Sequence, residues 1–333
     1  MFLTFKFKKN LFIALIVSAI ILLTTNIVMK NYFSGDAEKE SNLKQNKIIT
    51  NFGNILQSFG IESNLIKVND SIDKKSGRTK SFFKVQVPKD LTIPEILQEL
   101  YKTFRKDSLI IKSVEKVKGG KTIFTLKNGA SIILEAEFDY SKNYSRNMGS
   151  FVFIIYNANP ENPSTILLLE SARKLNFLIR PETRYVRSLE LFANNAQQFS
   201  VLIDDEISEQ KYKLAPGFSE KRIINVVKTL VTDFRNAVCF VVDDNSDFYK
   251  SSNFEVLNRE LLKRNIKLFK ISDFVLIDDS ENLSIDFSEK VNLLRKGESA
   301  VFLLNEETYL KLMDDILKFQ KMGYRVITSS LVL

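Results

Sequence analysis

The chain has 333 residues, 44% apolar and 26% charged, enough for two domains with substantial cores. It contains no histidine and a single cysteine, Cys239, which excludes imidazole-ligated metal sites, cysteine-only zinc sites and intramolecular disulfides. The formal charge of +8 is dispersed through mixed segments such as Ser288-Glu289-Lys290 and Arg295-Lys296-Gly297-Glu298, with no long run of like charge, so nucleic acid is not an expected partner.

Residues 1–10 carry Lys6, Lys8 and Lys9 and read as a basic cytoplasmic stretch. Residues 11–29 (LFIALIVSAIILLTTNIVM) hold no charge and have the length of one helical membrane crossing. Asp36, Glu38 and Glu40 follow, so the excess of lysine before the span places the N-terminus inside and the bulk outside the cytoplasm, periplasmic in a Gram-negative cell. A cleaved signal peptide would have a shorter apolar core and a small-x-small site close behind it. Here Thr24-Thr25-Asn26 leads back into Ile27-Val28-Met29-Lys30, and the nearest such site, Gly35-Asp36-Ala37, lies well beyond the apolar run. The expectation is an uncleaved transmembrane anchor. Residues 30–46 are polar and aperiodic, as in a linker.

A small α+β domain is expected over 47–140. Ile48, Ile49, Phe52, Ile55, Leu56 and Phe59 recur at helical spacing and stop at Gly60. Phe82–Val87 reads as a strand ended by Pro88. Thr92-Ile93-Pro94-Glu95 has the capping-box spacing and opens a helix to about Phe104. Strands over 109–117, 122–126 and 131–138 are separated by the turn signals Gly119-Gly120 and Asn128-Gly129.

From about 150 to 333 short apolar runs alternate with amphipathic segments. The runs are Phe151–Ile155, Phe177–Ile179, Phe199–Ile203, Ala237–Val242, Ile266–Ile271, Ala300–Leu304 and Arg325–Thr328. The clearest helical patterns are Ser219–Phe234, Phe254–Arg264 and Glu307–Lys321. Apolar strands joined by helices imply a parallel sheet buried on both faces. About seven units are too few for an eight-fold barrel, leaving an incomplete or seven-stranded (β/α) barrel or an open doubly wound sheet. Function in such folds gathers past the C-terminal ends of the strands. Those places hold Tyr156-Asn157, Asp204-Asp205-Glu206, Asp243-Asp244-Asn245, Lys270 and Asn305-Glu306-Glu307. Acids there also cap helices and solvate loops, so each cluster alone is an ordinary structural feature.

The order of these segments resembles the divergent polysaccharide deacetylase family. Phe153-Ile154-Ile155-Tyr156-Asn157 stands where that family has a strand ending in Asp-Asp, and Arg180-Pro181 where it has an apolar residue and Pro. Ala193-Asn194-Asn195-Ala196 and Val201-Leu202-Ile203-Asp204 follow its Ala-rich helix and a strand ending in His. Pro216-Gly217 is similar to its later Pro-Gly, and Ala237-Val238-Cys239 through Asn245-Ser246-Asp247-Phe248 to a segment carrying Asn-His-Met-Gly-Ser-Arg-Phe. Val301–Asn305 with Thr308 parallels a strand ending in Gly-His, and Arg325–Ser329 its final strand. The resemblance implies a deacetylase-like barrel, and in the family a metal held by histidines and an aspartate activates water. At the matching positions this chain has Tyr156 and Asn157 for aspartates, Asp204, Asp243 and Asn305 for histidines, and Lys270 for an aspartate.

No cofactor is therefore expected, with Asp204 and Asp243 as weak candidates for a hard divalent cation held through oxygen. The favoured reading is an extracytoplasmic, non-catalytic protein that binds envelope glycan or a partner protein through a cleft containing Tyr156, Asn157, Asp204, Asp243, Lys270 and Asn305. Two alternatives stand beside it: an active hydrolase using carboxylates only, and a structural envelope scaffold.

Overall fold

The computed structural model describes Leu22, Thr24, Thr25 and residues 45–72, 79–105, 109–129 and 131–333. The basic stretch 1–10, nearly all of the expected anchor 11–29 and most of the linker 30–46 lie outside the described residues. Among the described residues no helix is long and apolar enough to cross a membrane. The chain divides into two compact units, Met1–Gln57 with Ile61–Tyr144, and Ser58–Gly60 with Ser145–Leu333.

The first unit lays helices on one face of a five-stranded sheet. Helix α1 spans 45–58. It is followed by β1 (Ile66–Ile72), β2 (Thr79–Val87), α2 (Ile93–Phe104), β3 (Ile110–Glu115), β4 (Thr122–Asn128) and β5 (Ser131–Tyr140), in the sheet order β1-β2-β5-β4-β3. Alternate residues Phe83, Val85, Phe124, Leu126, Leu134, Ala136 and Phe138 are buried, and Phe52 of α1 packs its ring 4.8 Å from that of Phe83. On β2, β5 and the turn before β4 the polar pairs Lys80–Glu135 (3.1 Å) and Lys121–Glu137 (3.0 Å) form. Thr92 is the N-cap of α2, but the expected capping box is not made through its side chain; the Ile93 amide donates to the Tyr140 hydroxyl at 3.2 Å instead. Strand β1 (IKVNDSI) has no expectation behind it, because an edge strand with few buried side chains shows little apolar pattern.

The second unit alternates strands and helices. Its elements are β6 (Gly149–Ile155), α3 (Pro163–Leu169), β7 (Asn176–Ile179), α4 (Thr183–Asn194), β8 (Gln198–Ile203), α5 (Glu220–Asp233), β9 (Phe240–Val242), α6 (Asn253–Leu262) and β10 (Leu268–Lys270). These are followed by β11 (Val275–Leu276), α7 (Leu283–Asn292), β12 (Ser299–Leu304), α8 (Glu306–Lys311), α9 (Met313–Met322) and β13 (Tyr324–Val326). Every pairing is parallel, in the order β10-β9-β8-β7-β6-β12-β11, with β13 also on β6. Glu307–Lys321 was expected as one helix; it is two, because Leu312, buried at 1% exposure, takes φ −83° and ψ 0° and ends α8.

The connectivity shows that this sheet is curled. Its edge strands β10 and β11 are six inter-strand steps apart, which in a flat sheet is about 29 Å. Yet only residues 271–274 join them, a link that spans at most about 18 Å from Lys270 to Val275. The two edges therefore swing toward each other without pairing, as in an incomplete (β/α) barrel.

Two cores result. The larger packs Phe151, Phe153, Ile155, Phe177, Ile179, Val201, Ile203, Phe302 and Leu304 under helix residues such as Phe192, Ile223, Val227, Leu257, Phe287 and Ile316. On α5 the buried Ile223, Val226, Val227 and Leu230 show why that segment is a helix with one face inward. The smaller core holds the alternate strand residues Val152, Ile154, Leu178, Leu202, Val241 and Leu303, closed by Phe274 and Leu333. Each fully buried Phe, Leu or Ile contributes roughly 1.5–3 kcal/mol, so the doubly buried β6 anchors the sheet.

Candidate functional site

Because all strands of the curled sheet run the same way, their C-terminal ends form one edge. Polar residues follow at that edge: Tyr156-Asn157 after β6, Arg180 after β7, Asp204 after β8, Asp243 after β9 and Asn305 after β12. Side chains alternate faces along a strand. Tyr156, Arg180, Asp204, Asp243 and Asn305 each follow by two residues a member of the smaller core: Ile154, Leu178, Leu202, Val241 and Leu303. They continue the concave side. Lys270 instead follows Leu268, which packs against the larger core, and so continues the opposite side.

At the centre of the edge the Arg180 guanidinium forks between two carboxylates. Its Nε donates to Asp204 Oδ2 at 2.6 Å, and its Nη2 lies 2.6 Å from Glu206 Oε2. Register explains the reach: Ile179 pairs with Val201, which sets Arg180 level with Leu202 and one long side chain short of Asp204. Asp204 is 5% exposed, and its Oδ1 accepts the Glu206 amide at 3.1 Å. Burial pushes the Asp204 carboxyl above its ordinary range, against the pull of Arg180. Burial lowers the Arg180 guanidinium, but the Asp204 hydrogen bond and charge outweigh it and the net shift is upward.

The remaining candidates do local work. Asp243 Oδ1 accepts the Asn245 amide at 2.9 Å. Asp205 accepts the amides of Asp247 and Phe248 at 2.6 and 3.2 Å, so the two acidic loops meet through backbone rather than as facing carboxylates. Asn305 caps α8, its Oδ1 accepting the Thr308 amide at 2.8 Å. Tyr156 is half-buried beside the smaller core. The exposed Lys270 ammonium lies 5.6 Å from the Tyr249 ring, and the Tyr249 hydroxyl holds its pKa up. Cys239 is buried against Ser200, and burial pushes its thiol up to about 11, which makes it inert.

Beside the Arg180 fork is a pocket of about 290 Å³. Asn157, Ala158 and Asn159 from the turn after β6 form one wall, and Glu182 and Tyr185 around the start of α4 form another. Leu178, Leu202, Arg180 and Glu206 complete it. Asn157 holds φ +55°, a left-handed conformation that Asn tolerates better than most residues. Glu209 fixes the second wall: it accepts the Thr183 amide at 2.8 Å and the Thr183 hydroxyl, tying α4 to the loop that carries Glu206.

Of the six candidates, this pocket takes in Asn157 and adjoins Asp204 through Arg180; Tyr156, Asp243, Lys270 and Asn305 do not line it. Asn159, Glu182 and Tyr185 carry no motif that singles them out. Arg180 did leave a signal, a cation closing an apolar strand one strand away from an acid. As to a metal, each Asp204 oxygen already accepts a hydrogen bond and one of them faces a cation. Among the described residues no three Asp, Glu or Cys side chains are grouped to share an ion. The donor set does not fit the divalent metal of a deacetylase.

No family model matches the chain, and no curated protein matches its sequence. The solved structures it matches include a CE4 family pseudoenzyme from Bacillus anthracis, at 13% identity over 80% of this chain and 89% of that one, TM-score 0.35. A mutant of that pseudoenzyme with restored enzymatic activity matches at 13% identity over 78% and 89%, TM-score 0.35. The catalytic domain of a peptidoglycan N-acetylglucosamine deacetylase from Eubacterium rectale matches at 12% identity over 54% and 89%, TM-score 0.39. Likeness at these scores carries no argument about the site, which rests on the strand order and the residues above.

Proposed function

We propose that this chain is a membrane-anchored, extracytoplasmic relative of the polysaccharide deacetylases that has lost catalysis and binds envelope glycan in the pocket beside Arg180. The observation that carries the reading is the make-up of that pocket. Its Asn157 amide supplies a paired donor and acceptor of the kind sugar hydroxyls need, over apolar surface from Leu178, Leu202 and Ala158. Asn159 holds the turn beside it, its Oδ1 accepting the Glu161 amide at 3.0 Å and its Nδ2 donating to Asn162 Oδ1 at 3.2 Å. Its 290 Å³ is at the small end of ligand sites, suited to one sugar unit. The anchor is residues 11–29, from their uncharged run and the flanking lysines. A carboxylate-only hydrolase would need Asp204 free to act as acid, base or nucleophile, and Asp204 is tied to Arg180.

The test is co-sedimentation of the full-length chain, in detergent, with insoluble cell-wall glycan. Saturable retention is expected, weakened about threefold to tenfold in Asn157→Gly, as for one lost hydrogen bond with the left-handed backbone at this position kept. No retention of the unaltered chain, or equal retention of the variant, rejects the reading.

A further inference from the structure

The deacetylase resemblance brings with it a divalent cation at the strand ends, and the residues present do not accommodate one. We infer that the Arg180 guanidinium is the resident cation of this edge, a tethered group that balances the charge of the buried Asp204, also pairs with the exposed Glu206, and closes the carboxylate site to divalent metal. The inference concerns charge at Asp204 and does not rest on what the pocket binds.

Three observations carry it. A metal ligand must turn a lone pair to the ion, and Asp204 has one oxygen on Arg180 Nε and the other on the Glu206 amide, so an ion reaches only the lone pairs these two bonds leave. A divalent ion entering beside Asp204 would stand next to a guanidinium already in place, a repulsion that solvent on the 36% exposed Arg180 side chain screens only in part because Asp204 itself is buried. The other acid offered by the sequence, Asp243, turns Oδ1 to its own loop, and Asn305 turns Oδ1 to α8. The cation position is supplied instead from within the chain. Arginine suits that role better than lysine, because its planar fork serves both carboxylates at once.

The experiment uses the full-length protein and two readouts, calorimetric titration with Mn²⁺, Zn²⁺ and Ca²⁺, and thermal unfolding. The unaltered chain and Asp204→Asn should give the same titration, with no equivalent of metal that depends on Asp204. Arg180→Gly should lower the Tm of the transition that unfolds the second unit by roughly 4–10 °C. Millimolar methylguanidinium should recover part of that loss in Arg180→Gly and none in Arg180→Gly/Asp204→Asn. Arg180→Lys, which keeps the charge without the fork, should fold, unfold at an intermediate temperature and take up no metal; it carries the test if the glycine variant does not fold. One equivalent of divalent metal bound by the unaltered chain and lost in Asp204→Asn overturns the inference. So does an Arg180→Gly protein with unchanged Tm, or one that methylguanidinium does not help. None of these readouts involves glycan, so their failure is separate from failure of glycan binding.

Discussion

Removing Arg180 should cost stability in a way that depends on pH and on Asp204. Arg180→Met keeps much of the aliphatic stem while leaving Asp204, 6% exposed at its side chain, without a counter-charge. Breaking a fully buried ion pair costs about 3–5 kcal/mol. The Arg180 side chain is 36% exposed, so solvent screens part of the interaction and the cost at neutral pH falls to about 2–3 kcal/mol. The pH dependence has a definite sign. Burial already raises the folded Asp204 pKa above 3.8, so its ionised form weakens the fold as pH rises through that raised value, and Arg180 limits the loss. Without Arg180 the pKa rises further, so the variant loses more stability than the unaltered chain between pH 4 and pH 8. In an Asp204→Asn background the same substitution should cost under about 1 kcal/mol, the worth of the exposed Glu206 pair, with little pH dependence at this position. Because the chain has two units, a single global unfolding free energy is not defined, and amide exchange in β7 and β8 alongside urea unfolding keeps the measurement local. Equal costs in the two backgrounds, or a smaller cost at pH 8 than at pH 4, would refute the reasoning.

Two further outcomes follow from the frame around the site. Ala196 sits exposed at φ +53° where α4 ends, with the Gln197 amide donating back to the Phe192 carbonyl at 2.8 Å, so Ala196→Gly should stabilise the protein by about 0.5–1 kcal/mol in urea unfolding. Lys263 and then Arg264 pull the Glu260 carboxyl from 4.5 down to about 2; its contribution is present above 4.5 and lost as pH falls, so the stability gap between the unaltered chain and Glu260→Gln should close from pH 5 toward pH 2.

What could be read before the structure was whatever depends on one strand or helix at a time. Phe151–Ile155 and Ala300–Leu304 are continuous apolar runs because both of their faces are buried, and they lie at the centre of the sheet. The break at Leu312 left no such trace, since no glycine or proline marks it and the α8–α9 pattern stays helical on both sides. The site was less legible for a related reason. Whether a strand-end residue continues the concave or the convex side depends on where its strand begins, and Ile266–Ile271 did not reveal that β10 starts at Leu268. Lys270 therefore looked like a member of the cleft although it continues the other side. The pairing of Arg180 with Asp204 depends on the register Ile179↔Val201, a relation between two strands that neither strand shows alone. The six polar residues at five strand ends were thus visible as a set, but Arg180, which pairs with Asp204 among them, belongs to a strand end that the deacetylase pattern marks only by its proline. A chain without histidine still has to balance a buried carboxylate at this edge, and a cation on the adjacent strand is the nearest means the fold offers.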